Sequence, residues 1–217
     1  MKKLIMLSIC LGLFALTAAA QTRVSPYRPE FLDKELLTAV TQNDANHVEK
    51  LIKLGANVNA TTDDCVRDTA LSLAIMEGGY TEIVKLLVEN GADVNAKDTV
   101  GASPLLMAVY WHNDRLGINM EIVRLLIQHG ADVNAQDCDG MTALMYAAKV
   151  GHAELARVLV TKGADITLKN KEGKTAISLA KAAGHPEVAG VIAQAYRQIQ
   201  NAKVAAVVAQ LKYGLNK

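Results

Sequence analysis

Side chains that could act as nucleophiles or metal ligands are few in this chain of 217 residues: three cysteines and five histidines. Cys10 lies inside an apolar run near the N-terminus, which leaves Cys65 and Cys138 as candidates for disulfide or redox chemistry. Each follows an aspartate, Asp64 and Asp137, at what looks like the same place in an internal repeat, with one repeat between them. Packed helices lie about 8–10 Å apart, so equivalent positions two repeats away fall roughly 20 Å apart, whereas bridged Cα atoms lie within about 7 Å. Two free thiols are expected, packed as small loop residues, and a redox role for them is disfavoured. Among the histidines, His112-Asn113-Asp114 offers one imidazole and one carboxylate, short of the three or four ligands of a metal site. His129, His152 and His185 each adjoin a glycine at recurring positions, which marks them as structural. No Gly-x-Ser-x-Gly, His-Glu-x-x-His, phosphate loop or Cys-x-x-Cys occurs. The expectation is no enzyme, no cofactor and no metal.

What remains is the chemistry of recognition. Tyr110, Trp111, His112 and Arg115 fall within six residues of a chain that is only 4% aromatic, and Trp111 is its single tryptophan. Tryptophan, tyrosine and arginine are the residues that most often carry binding energy at interfaces. Trp111 either anchors a partner or packs its own segment against neighbouring helices.

The elements that must position these residues repeat. Gly-Ala-Asx-Val-Asn-Ala stands at 55–60, 91–96 and 130–135 and decays to Gly-Ala-Asp-Ile-Thr-Leu at 163–168, with starts 36, 39 and 33 residues apart. A second signal follows each copy: Thr69-Ala70-Leu71, Ser103-Pro104-Leu105, Thr142-Ala143-Leu144 and Thr175-Ala176-Ile177. In the cleanest unit Asp137 favours a turn, Gly140 supplies a positive φ at its tip, and Thr142 caps a helix from Ala143 to about Lys149. Gly151-His152 breaks the chain before a second helix from Ala153 to Thr161, which carries Leu155, Val158 and Leu159 at helical spacing. Gly163 ends that helix.

This two-signal unit of about 33 residues resembles the ankyrin repeat family over most of the chain, Phe31 to Tyr196. The resemblance implies an all-α solenoid of helix-turn-helix units joined by β-hairpin loops. About five units are expected, at 32–66, 67–100, 101–139, 140–172 and 173–196, the first a polar cap. The family's Thr-Pro-Leu-His is only partly kept, since Ser72, Leu106, Met145 and Ser178 replace the histidine. Arg67 stands where Gly101, Gly140 and Gly173 occupy the other hairpins, and Thr61-Thr62-Asp63 replaces the single Lys97, so the first hairpin should differ in shape. In the third unit six extra residues fall within 110–119, which should project as a finger between its helices. After the last unit, Gln200 to Lys203 interrupts the apolar pattern before Val204, Val207, Val208 and Leu211 resume it at i, i+3, i+4 and i+7. An extra amphipathic helix within 197–217 is expected to fold over the open end of the stack, with dimerisation as the other reading.

The family likeness also implies a concave binding surface of hairpin tips and first helices. Thr62, Asp63, Arg67, Lys97, Thr99, Gln136, Asp139, Lys169 and Lys171 would belong to it. The finger residues Tyr110, Trp111, His112 and Arg115 are the other candidate site.

Residues 1–20 read as a secretory signal peptide, with Lys2-Lys3, an apolar run from Leu4 to Leu16, and Ala18-x-Ala20 placing cleavage between Ala20 and Gln21. An extended segment, 21–31, would follow. Removing the two leader lysines leaves 21 basic against 22 acidic residues, a formal charge of minus one. Such a balance offers no basic stripe for nucleic acid. The apolar run is shorter than the ~20 residues of a membrane span, so no insertion is expected after cleavage. The expected protein is a monomeric, exported interaction module, periplasmic or secreted, that binds another protein as scaffold, inhibitor or stabilising partner; a secreted effector acting on host proteins is the alternative.

Overall fold

The computed structural model describes residues 28–63, 66–110 and 118–214. Ala20, Gln21, Cys65, Trp111, His112 and Arg115, and with them the leader and the finger, lie outside the described residues. Ten helices are described, and they pair into five antiparallel units. The first helices of the units are α1 (Pro29–Thr41), α3 (Ala70–Met76), α5 (Pro104–Tyr110), α7 (Ala143–Val150) and α9 (Ala176–Ala182). The second helices are α2 (Ala45–Lys53), α4 (Thr81–Glu89), α6 (Met120–Gln128), α8 (Ala153–Thr161) and α10 (Pro186–Gly214).

Local chemistry starts the first helices of the second to fifth units where the sequence indicates. The hydroxyls of Thr69, Thr142 and Thr175 accept the N–H groups of Ser72, Met145 and Ser178 at 3.1, 3.2 and 3.3 Å. Ser103 does the same for Leu106 at 3.4 Å, with Pro104 at the first helical position, where a missing N–H loses nothing. Second helices have their own caps: Asn119 accepts the N–H groups of Glu121 and Ile122, and the Nδ1 of His152 accepts that of Leu155 at 3.1 Å. His152 is therefore a helix cap, as its periodic position indicates.

The first helices stack in one row, burying Leu71, Ile75, Leu105 and Leu144 between neighbours, and the second helices cover them with Ile83, Leu87, Ile122, Leu126, Leu155 and Leu159. One apolar core runs unbroken from Leu32 to Ala195. Deleting one interior leucine from such a close-packed core destabilises by ~2–5 kcal/mol.

Both ends differ from expectation. Pro29 opens α1, so the last three residues of the anticipated extended segment are helical. At the other end α10 passes through Gln200–Lys203 without a break and runs for 29 residues. Among the described residues the C-terminal helix is continuous with the fifth unit, and no separate helix folds over the stack. Nothing between 191 and 213 is proline or glycine, so loss of apolar periodicity there ends burial without ending the helix. Val188, Ile192 and Ala195 are buried, whereas Val204, Val207, Val208 and Leu211 are 62, 54, 44 and 61% exposed.

Candidate protein-binding surface

Two hydrogen-bonded rows hold the units in register and decide where the loop side chains point. The first row explains the recurring Asn of the glycine-led motif. Asn59, Asn95 and Asn134 each reach into the next unit, donating from Nδ2 to the carbonyls of Gly91, Gly130 and Gly163 at 3.3, 3.1 and 3.4 Å. Their Oδ1 atoms accept the N–H groups of Asp93, Asp132 and Asp165, each at 2.8 Å. Asp33 on α1 begins the series by accepting the Asn57 N–H at 2.7 Å. Thr167 ends it: the fifth unit carries no glycine-led loop for it to reach, and its hydroxyl turns back to Asp165 at 2.7 Å, which holds that carboxyl below its ordinary pKa.

The second row is made by the hairpin turns. Oδ1 of Asp98 accepts the N–H groups of Val100 and Ala102, and Oδ1 of Asp137 those of Asp139 and Met141, all at 2.8–2.9 Å. Asn170 does the same for Glu172 and Lys174. Adjacent turns are tied by the Cys138 N–H to the Val100 carbonyl, 3.0 Å, and the Lys171 N–H to that of Asp139, 2.9 Å. The first turn is longer and closes through the Thr62 N–H to the Asp68 carbonyl; here Arg67 takes the left-handed conformation, φ +56°, that Gly101, Gly140 and Gly173 occupy elsewhere. The altered shape expected at Arg67 is therefore present. Apart from the Thr61–Thr69 bridge the loops contain no β-pairing among the described residues, so they are turns more than ladders.

Against this frame the candidate residues separate. Lys97 and Gln136 work within the row: Lys97 Nζ donates to the Gln136 carbonyl at 3.3 Å, and Gln136 Nε2 donates to the carbonyls of Gly140 and Lys169 at 2.6 and 3.2 Å. Arg67, Lys97 and Thr99 meet around a groove of about 560 Å³ between the first two turns. Thr62 is half-buried in the first turn; Asp63 is exposed and pairs with Lys34 at 2.9 Å. Lys169 and Lys171 are exposed at the far end of the row.

Asp139 and Tyr110 lie on a further groove of about 240 Å³ between the third and fourth units, together with Val100 and Tyr146. The Tyr110 and Tyr146 rings are 5.1 Å apart and inclined at 54°. Tyr146 Oη donates to Asp137 Oδ2 at 2.6 Å, and burial of the ring, reinforced by this bond to the carboxylate, raises the phenol well above its ordinary pKa. Tyr146 and Val100 are absent from the candidates named from sequence. The signal was there for Tyr146, because the other units place Leu73, Met107 and Leu179 four residues after their caps.

Tyr110, 54% exposed, is also the last described residue before the inserted segment. On its far side Asn119 is anchored by Nδ2 to the Thr81 hydroxyl at 2.9 Å, so this foot of the insertion is fixed to the preceding unit. Cys138 is a free, exposed thiol. Among the described residues no group of three or more His, Cys, Asp or Glu could hold a metal ion, and no helix is long and apolar enough to cross a membrane.

The repeating caps, turns and Asn row are matched by a family profile described as ankyrin repeats (3 copies), over residues 36–137 and 115–203. The chain belongs to the ankyrin-repeat family. Its repeat architecture supports a protein–protein interaction module. Short stretches of the chain are also similar to parts of other proteins. An ankyrin repeat protein of Rickettsia bellii is 50% identical over 42 residues, 19% of this chain and 17% of that protein. Protein phosphatase 1 regulatory subunit 12A of Mus musculus is 51% identical over 43 residues, 20% of this chain and 4% of that one. The 2-5A-dependent ribonuclease of Mus musculus is 36% identical over 76 residues, 35% of this chain and 10% of that one. The chain thus spans less than a fifth of the length of each of these relatives.

Proposed function

We propose that this ankyrin-repeat protein is exported and binds another protein in the bacterial periplasm through its hairpin face, acting as scaffold, inhibitor or stabilising partner. The observation that carries the proposal is the rigid row of turns, which sets Arg67, Lys97, Thr99, Tyr110 and Asp139 along grooves of neighbouring units. Because the turns are tied to one another through main-chain bonds, little entropy is lost when a partner seats on them. The near-neutral charge supports a protein partner over nucleic acid. Export rests on the leader-like residues 1–20, with cleavage after Ala20. Cleavage removes their apolar run and leaves a protein that does not insert into the membrane. The protein binds as a monomer.

The test is cross-linked affinity capture of the tagged protein from the envelope of producing cells, with N-terminal sequencing of the captured chain. A chain beginning at Gln21, bound to one protein that is lost when Arg67 and Asp139 are both changed to Ala, is the expected result. An unprocessed chain in the cytoplasm would overturn export, and an envelope capture with no partner would overturn the binding role. Recovery of the processed protein only from the medium would instead make it a secreted effector acting on host proteins.

A further inference from the structure

The grooves of the hairpin face are not alike in charge, and this difference says what one of them accepts. Between the first two turns the lining mixes Arg67 and Lys97 with Asp93 and Asp98. Beside α1 it mixes Lys34 with Asp33 and Asp63, and Lys34 and Asp63 already neutralise each other. The groove between the third and fourth units has one sign only. Asp98, Asp137 and Asp139 line it, and no lysine or arginine stands among its described lining residues.

Its floor and walls are apolar and aromatic. Val100 and Tyr110 are each 54% exposed, so two large apolar side chains are displayed on this groove. Tyr146 lies half-buried beside Tyr110 and is fixed in place by Asp137, whose other oxygen is held by two main-chain N–H groups. Asp137 is thereby spent on structure. Asp139 is different: its N–H and carbonyl serve the turn row while its side chain stands exposed at the rim. Asp98 uses one oxygen in its own turn, and the fourth-unit tyrosine that engages Asp137 has only Met107 as its counterpart here.

We infer that this groove is the seat of a cationic, aliphatic segment of the partner protein: an arginine or lysine lying over the Tyr110–Tyr146 pair within reach of Asp139 and Asp98, with a neighbouring aliphatic side chain against Val100. A guanidinium over a tyrosine face is attracted by the ring, and the attraction grows when carboxylates on the same rim share the charge. This inference rests on the hairpin-face reading of function and narrows it to one groove and one partner chemistry.

Selection of a random peptide display library on the immobilised protein, residues 21–217, tests it without knowledge of the natural partner. Enriched peptides are expected to place Arg or Lys next to Leu, Ile or Val. Synthetic versions should bind at least tenfold more weakly to Tyr110→Ala, as for an aromatic interface anchor. They should also weaken when Asp139 is changed to Lys, a substitution that keeps both of its main-chain bonds, and when salt is raised from 50 to 300 mM, because rim charges are screened. Circular dichroism on each variant separates lost binding from lost folding. Enrichment of acidic or purely apolar peptides, no enrichment, or binding indifferent to Asp139→Lys would each overturn the inference. A native partner captured equally by wild type and Asp139→Lys would overturn this groove while leaving the binding role of the hairpin face intact.

Discussion

Replacing Asn95 by Ala removes a link between the second and third units without touching the core. Two hydrogen bonds go: Nδ2 to the Gly130 carbonyl at 3.1 Å, and Oδ1 from the Asp132 N–H at 2.8 Å. A hydrogen bond contributes a net ~0.5–1.5 kcal/mol to stability, and at an exposed site water takes over part of it, so the pair should be worth about 1–2 kcal/mol. The Asp132 N–H and Gly130 carbonyl remain beside solvent, which spares the larger penalty of a buried unpaired group. In a stack where each unit contacts only its neighbours, the loss falls on one interface. Urea unfolding followed by far-ultraviolet circular dichroism reads it, and Thr167→Ala supplies the control. Thr167 holds only Asp165 of its own turn, so its removal should change stability by less than about 0.5 kcal/mol. Asn95→Asp adds a second check, because it keeps an acceptor for the Asp132 N–H but sets an oxygen against the Gly130 carbonyl; it should be no more stable than the alanine variant. If Asn95→Ala matches wild type within experimental error, or Thr167→Ala is as damaging, the Asn row is not what couples the units.

Three further outcomes follow from the same geometry. Gly140 and Gly173 share a left-handed φ, +74° and +73°, but a Cβ on Gly140 would lie 3.2 Å from Asn170 Cα and Lys171 N, whereas one on Gly173 meets nothing within 4 Å. Gly173→Ala should therefore lose only the conformational ~1–2 kcal/mol, and Gly140→Ala measurably more, by thermal or urea unfolding of the two variants. Truncation after Gln200 should leave the melting temperature within a few degrees of wild type, since residues 201–211 are exposed; a large fall in a melting scan would show that the removed segment protects the stack's end. Because the Tyr146 phenol is raised in the folded state, the unfolded chain releases its proton first as pH climbs, so stability should decline above about pH 10, and Tyr146→Phe should flatten that decline in pH-dependent unfolding.

Most of the fold was legible because ankyrin units are specified locally. The cap at Thr142, the αL glycine after Thr161 and the apolar spacing of Leu155 and Leu159 each act within a few residues, and the helix Ala153–Thr161 has the bounds its sequence indicates. At the C-terminus the sequence indicates helix over Val204 to Leu211, as found, but not its continuity with the fifth unit, for a reason that the same logic exposes. Gln200 to Lys203 breaks a pattern of burial, and burial pattern and backbone conformation are separate properties: a run of good helix formers continues as helix after its core has ended. The surface was less legible than the fold. Gln136 and Lys97 have the composition of contact residues, yet their hydrogen bonds run to main-chain carbonyls of neighbouring turns, a pairing across 33 and 39 residues that no local signal encodes.

That distinction bears on how a repeat scaffold acquires specificity. Every unit must satisfy the same neighbours, so the Asn row, the Asp-led turns and the caps leave little freedom for function. Departures from the consensus then mark the places released from that duty. Arg67 in a left-handed turn, Tyr146 in an aliphatic position and Thr167 at the end of the Asn row are three such departures, and each has a different physical meaning. Thr167 is a terminus, having no further loop to hold. Arg67 carries a conformational strain of ~1–2 kcal/mol that glycine would not, and it lies on the groove between the first two turns. Tyr146 reshapes a groove and draws Asp137 into supporting it. Changing Arg67 to Gly separates strain from use: the variant should be at least as stable as wild type by urea unfolding, because relief of the strain offsets the greater freedom glycine adds to the unfolded chain. If it also binds its partner as well as wild type, the arginine is a tolerated irregularity; if stability holds while affinity falls, the strained turn is kept for the contact it makes.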